Sequence, residues 1–132
     1  MRPSITPQEQ YRRALLAKSR LKEEEAIHRA VVELLQVSAV PGVAWTHMPA
    51  GEVRPISTGK KLKAMGTKPG WPDLLFVRDG RFYGLELKPD GGRLSPAQIA
   101  AHEELRRAGA SIAVAYGLDD AIETLKGWEL IR

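Results

Sequence analysis

Two apolar runs, Gly70-Trp71-Pro72-Asp73-Leu74-Leu75-Phe76-Val77 and Arg81-Phe82-Tyr83-Gly84-Leu85-Glu86-Leu87-Lys88, are separated by little more than Asp79-Gly80. Asp-Gly between strand-like runs is a strong two-residue hairpin signal, so the middle of the chain is expected to be an antiparallel pair. Residues i and i+2 of a strand project from one face. Glu86 and Lys88 therefore share a face, while Leu85 and Leu87 point into the opposite layer. A carboxylate and an ammonium on an otherwise apolar strand are costly to bury unless they serve each other or a bound cation. Asp73, on the neighbouring strand, is placed to approach Glu86. The hairpin thus fixes both a sheet and the place where polar chemistry enters it.

The rest of the pattern surrounds that hairpin with helices. Residues 1–20 carry Pro3, Pro7 and a basic bias from Arg2, Arg12, Arg13, Lys18 and Arg20; they read as a basic arm or as a short helix from about Gln8. Residues 21–132 read as a single domain. From about Leu21, Ile27, Ala30, Val31, Leu34 and Leu35 recur at helical spacing until Pro41-Gly42. Val43 to Met48 reads as a first strand, followed by a Gly- and Lys-rich loop. Asp73–Arg78 and Arg81–Lys88 are the hairpin strands. Ser95-Pro96-Ala97-Gln98 combines a capping serine, a proline at the first helical position and a glutamine suited to a capping box. That helix is expected to run to about Ala108, with Gly109 as its left-handed cap. Ser111–Tyr116 reads as a strand, Asp119–Lys126 as a helix, and Trp128–Ile131 as an added edge strand. The order is helix, three strands, helix, strand, helix: an α/β protein with a mixed sheet flanked by helices.

Composition removes several function classes. The 132 residues suffice for one core, and their net charge of +4 favours a polyanionic partner. There are no cysteines, which excludes disulfides, thiolate metal sites and cysteine nucleophiles. No run approaches a membrane span, and the N-terminus has no signal-peptide core, so a cytoplasmic location is expected.

Two carboxylates converging near a lysine suit a hard cation such as Mg2+ and in-line attack on a phosphodiester, a nuclease chemistry. Alone, Asp73 reads as closing the Pro69-Gly70 turn, and Glu86-x-Lys88 as an exposed ion-paired strand face. Together they favour the site, with Lys88 positioning water or offsetting charge in the transition state. Glu23, Glu24 and Glu25 open the first long helix, where the dipole favours acids. Glu23 and Glu24 flank its apolar stripe and either could reach a site beside the core; Glu25 points to solvent. Zinc is disfavoured, since His28, His47 and His102 lack ligand spacing. Gln98 is explained by capping, although its amide could also face the Lys88 end of the sheet. The basic loop from Arg54 to Lys68 is a candidate phosphate clamp. Candidate DNA contacts are His47, Arg54, Lys60, Lys61, Lys63, Lys68 and Arg93.

Gly70-Trp71-Pro72-Asp73 followed by Glu86-Leu87-Lys88 resembles the PD-(D/E)XK nuclease signature. The wider string resembles its VRR-NUC branch. It comprises Glu24-x-x-Ile27, His47-Met48-Pro49, Lys68-Pro69-Gly70-x-Pro72-Asp73-Leu74, Glu86-x-Lys88 and Gly92-Arg93-Leu94-Ser95-Pro96-x-Gln98. His28 and Ala50-Gly51 depart from the residues usual at those positions. The resemblance spans about Glu24 to Tyr116 and implies a restriction-endonuclease-like αβββαβ core cleaving DNA with Mg2+ or Mn2+. It implies Asp73, Glu86, the Leu87 carbonyl and Glu24 as metal ligands, Lys88 as catalytic lysine and Gln98 as an accessory polar residue. It selects Glu24 over Glu23. Small stand-alone members resemble phage or bacterial structure-specific nucleases, some acting as homodimers on branched DNA such as four-way (Holliday) junctions. Larger relatives fuse the domain to repair or helicase modules, for which this chain has no room. The competing expectations are a non-catalytic DNA-binding module that keeps the fold, and an interaction protein whose acids only form surface ion pairs. The presence of Asp73, Glu86 and Lys88 together favours the enzyme.

Overall fold

Among the described residues, four strands form one mixed sheet in the order β1-β2-β3-β4, and four helices surround it. The computed structural model describes residues 4–49 and 56–132. The elements are α1 (Pro7–Ser38), β1 (Ala44–His47), α2 (Ile56–Ala64), β2 (Leu74–Arg78), β3 (Arg81–Lys88), α3 (Pro96–Arg107), β4 (Ser111–Tyr116) and α4 (Leu118–Gly127). Pairs β1–β2 and β2–β3 are antiparallel, whereas β3–β4 is parallel, with α3 making the crossover. This is the restriction-endonuclease-like α/β arrangement expected, with one helix added between β1 and β2.

The hairpin turn is built as its residues demand. Asp79 and Gly80 both have positive φ, 50° and 75°, the geometry of the tight turn that Asp-Gly favours. Register then fixes the faces: Leu74 pairs with Leu85 and Phe76 with Tyr83. Leu74, Phe76, Tyr83, Leu85, Leu87 and Ala115 pack against Val31 and Leu35 of α1 and Ala121 and Leu125 of α4. That layer is the core. The alternate residues of β3, including Glu86, face the other way, toward α3.

Three expectations are corrected. Residues 7–20 are neither a separate arm nor a short helix, because α1 is one helix of 32 residues. Thr6 caps it, its hydroxyl accepting from the Glu9 amide at 3.2 Å, with Pro7 in the first turn. Residues 7–22 are exposed throughout, and burial begins only at Glu24. A stripe of buried residues therefore could not announce the first four turns. The second correction concerns the Gly- and Lys-rich segment, which contains α2 rather than only loop. Among α2 residues 57–64 only Leu62 is part-buried. The third concerns Trp128–Ile131: no strand forms there, only a single bridge between Ile131 and Ala39. Val40 donates to the Leu130 carbonyl and Arg132 to that of Ser38, so the segment closes over the end of α1.

Candidate functional site

The site lies where β2 begins and β3 ends. Two glycines make this geometry possible. Gly70 has φ +86°, and a Cβ there would overlap the Ala97 carbonyl of α3. A Cβ on Gly84 would lie 2.7 Å from Pro72 Cγ and 2.8 Å from Ile112 Cδ1. Pro72 is thus fully buried against the sheet, and Asp73 is delivered to the residue before β2. One step beyond Leu74–Leu85, the ladder sets Asp73 opposite Glu86.

Each acid is held by a backbone amide from the other's segment of chain. The Asp73 amide donates to Glu86 Oε2 at 3.1 Å, and the Leu87 amide donates to Asp73 Oδ2 at 2.8 Å. Glu86 is 1% exposed. Its second oxygen, Oε1, accepts from Gln98 Nε2 at 2.6 Å. Gln98 Oε1 meanwhile accepts from the Ser95 amide, and the Gln98 amide donates to Ser95 Oγ, completing the capping box of α3. The capping and site-facing roles anticipated as alternatives for Gln98 are thus played together.

Glu24 is the third acid. It is half-buried while Glu23 and Glu25 are exposed, and Glu25 pairs with Arg29 at 2.8 Å. One carboxylate oxygen from each of Glu24, Asp73 and Glu86 lies within 4.8 Å of the others. Lys88 Nζ lies 3.9 Å from Glu86 Oε1 and 4.0 Å from Glu24 Oε1. Crowding three acids perturbs them. Burial, and then the Asp73 charge, pushes the Glu86 carboxyl up to about 8, against the opposing effects of Lys88 and the Asp73 amide. Burial also raises Glu24, an effect reduced by Lys88 and reinforced by Asp73. A cavity of about 250 Å³ opens onto Asp73, Glu86, Glu24 and Gln98, walled by Met48 and Trp71.

The remaining candidates lie at varying removes. His47 is exposed on β1, and its Nδ1 lies 2.9 Å from the Asp73 carbonyl oxygen, which also accepts from the Met48 amide at 2.8 Å. Its ring meets His28 edge-on at 4.4 Å. Burial, then the His47 charge, lowers the His28 pKa. Arg93 lines an adjoining cleft of about 490 Å³ with Arg20, Glu24 and Lys88. Lys60, Lys61 and Lys63 are exposed on α2, and Lys68 is exposed 3.7 Å from Glu104. Arg54 lies outside the described residues, as do Ala50 and Gly51. A larger cavity of about 570 Å³, at the turn end of the hairpin, is lined by Arg78, Arg81 and Trp128 and contains none of these acids.

Two residues near the site escape the sequence reading. Arg20 precedes Glu24 by one helical turn, and that four-residue spacing was the available signal. His102 on α3 is 1% exposed, and neither ring nitrogen has a hydrogen-bond partner. Burial, then the charge of Arg106, lowers its pKa. It follows Gln98 by four residues, which places it one turn along the same face.

No family model matches the sequence, and no curated protein does. Solved structures do. One, described as a "VRR_NUC domain protein", is 25% identical and superposes with a TM-score of 0.66, over 82% of this chain and 89% of that one. Another, described as "VRR_NUC domain", has a TM-score of 0.55 at 20% identity, over 80% of this chain and 95% of the other.

Proposed function

As a VRR-NUC domain protein this chain carries a nuclease fold, and we propose that it is a metal-dependent DNA endonuclease hydrolysing phosphodiester bonds. The observation that carries this reading is the meeting of Glu24, Asp73 and Glu86 within 4.8 Å, beside Lys88. Three carboxylates with no sulfur or imidazole among them fit a hard divalent cation, Mg2+ or Mn2+. Asp73, Glu86, Glu24 and the Leu87 carbonyl would hold it. When bound, such an ion supplies Lewis acidity toward the phosphoryl oxygens.

The chain's own residues supply the rest. Gln98 orients Glu86 by holding one carboxylate oxygen, and the Leu87 amide does the same for Asp73. Lys88, 3.9 Å from Glu86 and 4.0 Å from Glu24, is placed to orient the attacking water and to offset charge on the pentacovalent phosphorus. His47 fixes the backbone carbonyl of Asp73 and so acts on the site through that residue.

We further propose branched DNA as substrate and a homodimer as the working form. The described residues of one chain offer one such acid cluster, and a two-fold pair, the commonest closed oligomer, presents two to opposing strands. Of the tryptophans considered for that interface, Trp45 and Trp128 pack against the monomer core and Trp71 meets the Phe82 ring edge-on. The test is a panel of labelled flaps, forks, four-way junctions and plain duplex, incubated with Mg2+, Mn2+ or EDTA, with light scattering alongside. Cleavage that survives EDTA, or that is undiminished in Lys88→Ala, refutes the metal-dependent reading. DNA bound but never cut would favour the non-catalytic module.

A further inference from the structure

The first four turns of α1 bury nothing. An isolated helix of that length is marginal in water, and here it persists as the continuation of an anchored one. Its composition indicates a purpose. Residues 7–22 hold Arg12, Arg13, Lys18, Arg20 and Lys22 against the single acid Glu9, a net charge of +4. That equals the charge of the whole chain, and residues 23–132 carry 14 basic and 15 acidic side chains, a net −1. Residues 54–68 hold five more basic side chains and no acid, so this helix is one of two basic segments, and the one that itself carries an acid of the cluster, Glu24.

Direction follows from helical geometry. Arg20 is four residues before Glu24, and Arg13 seven before Arg20, so all three lie on one side of α1. At a rise of about 1.5 Å per residue, the two arginines stand roughly 6 Å and 16 Å from Glu24 along the axis. Arg20 already forms one wall of the cleft that also exposes Lys88 and Arg93, and its floor is Pro89, Gly91 and Gly92, which present no long side chain. Among the described residues, none of Arg13, Arg20 and Arg93 has an acidic partner. Unpaired guanidiniums in file, leading to a cluster of carboxylates, offer the charge and the forked donors that phosphates of a nucleic-acid backbone accept.

We propose that the projecting half of α1 is a DNA-backbone arm, in which Arg13 and Arg20, with Arg93 across the cleft, hold the phosphates of the strand that runs into the acid cluster. The inference deepens the nuclease reading and rests on it for the identity of the strand. It adds α1 to the segment from Arg54 to Lys68 as a second place of phosphate contact. Of the apolar residues exposed on α1, Tyr11 and Leu15 project from the side away from Glu24, whereas Leu16 and Leu21 flank the arginine file.

The experiment compares wild type, Arg13→Ala/Arg20→Ala and Arg13→Lys/Arg20→Lys by fluorescence anisotropy on labelled duplex and four-way-junction DNA, in EDTA, from 50 to 200 mM NaCl. Loss of two phosphate contacts reduces the log–log salt slope by about 1.8. The wild type should then weaken roughly twelvefold more than the alanine variant across that range, with the lysine variant close to wild type. Circular dichroism and the metal-induced rise in unfolding midpoint should be unchanged. An unchanged salt slope in the alanine variant overturns the arm. So does a loss of affinity explained by a change from dimer to monomer in light scattering, which would assign α1 to a second copy. Wild type that fails to cut DNA while the arginine variants still lose slope would remove the nuclease reading and leave the arm standing.

Discussion

Replacing Glu86 by glutamine should make the metal-free protein relatively more stable as pH rises, even though it removes a central residue of the site. In the folded chain the Glu86 carboxyl is pushed from its ordinary 4.5 to about 8, chiefly by burial and the Asp73 charge. The folded state therefore holds a proton that the unfolded state releases, and stability falls with pH across that interval. The contribution is complete below about 4.5, and it is lost as pH climbs through about 8. Between pH 5 and pH 9 the loss is on the order of 4 kcal/mol, with little screening because the side chain is 1% exposed. Glu86→Gln cannot titrate and escapes it. The variant has its own fixed cost, since one carboxylate oxygen that accepted from Gln98 or the Asp73 amide becomes an NH2 group, at about 1–3 kcal/mol. That cost is independent of pH. Urea unfolding in EDTA at pH 5, 7 and 9 should thus show wild type ahead at pH 5 and the variant gaining steadily to pH 9. A wild-type-minus-variant difference that stays flat across this range would refute the argument that Glu86 is buried as the acid.

Metal affinity should rise with pH, about tenfold per unit while Glu86 must lose its proton to ligate and levelling near pH 8; titration calorimetry in buffers of different ionisation enthalpy reads the released proton. Lys88→Ala should lower turnover by orders of magnitude with the unfolding midpoint nearly kept, as single-turnover cleavage and circular dichroism would show. His102→Leu should leave stability unchanged or raise it, because two unpartnered buried nitrogens are removed. Its advantage should grow as pH falls below about 6.5, where the unfolded histidine protonates and the folded one resists; a loss above about 2 kcal/mol in urea unfolding would mean that the ring makes a bond the cell of residues around it requires. Gly70→Ala should destabilise the fold by more than about 1 kcal/mol and reduce cleavage, since the added methyl displaces the start of α3 and with it Gln98.

How far the sequence could be read depended on whether a residue's job is local. The hairpin was legible because Asp79-Gly80 specifies its own turn, and Leu85 and Leu87 specify their face by alternation. The start of α3 was legible from Ser95-Pro96-Ala97-Gln98. The same grammar stands at Thr6-Pro7-Gln8-Glu9, where α1 begins, but with no buried stripe behind it the signal went unread. Hydrophobic periodicity reports burial, so a solvated helix is silent in it, and α2 was lost for the same reason. The choice between Glu23 and Glu24 could not come from helical angle alone, because both flank the stripe; it came from the family resemblance, through the spacing to Ile27. Trp128–Ile131 has strand-like residues, yet its hydrogen bonds go to the end of α1, a partner far away in sequence. His102 offered no signal, since a histidine on an amphipathic helix reads equally well as surface.

Gln98 links two histories that a protein usually keeps apart. Its amide both starts a helix and steadies a carboxylate on the neighbouring strand, so drift at this position is filtered twice. Glutamate, the other residue that closes a capping box, would preserve the helix and set a carboxylate against Glu86. Shorter amides would keep the charge neutral and fall short of both partners. A lineage retaining this fold after losing the chemistry would be released from the second filter first, and glutamate at this position would be its early mark.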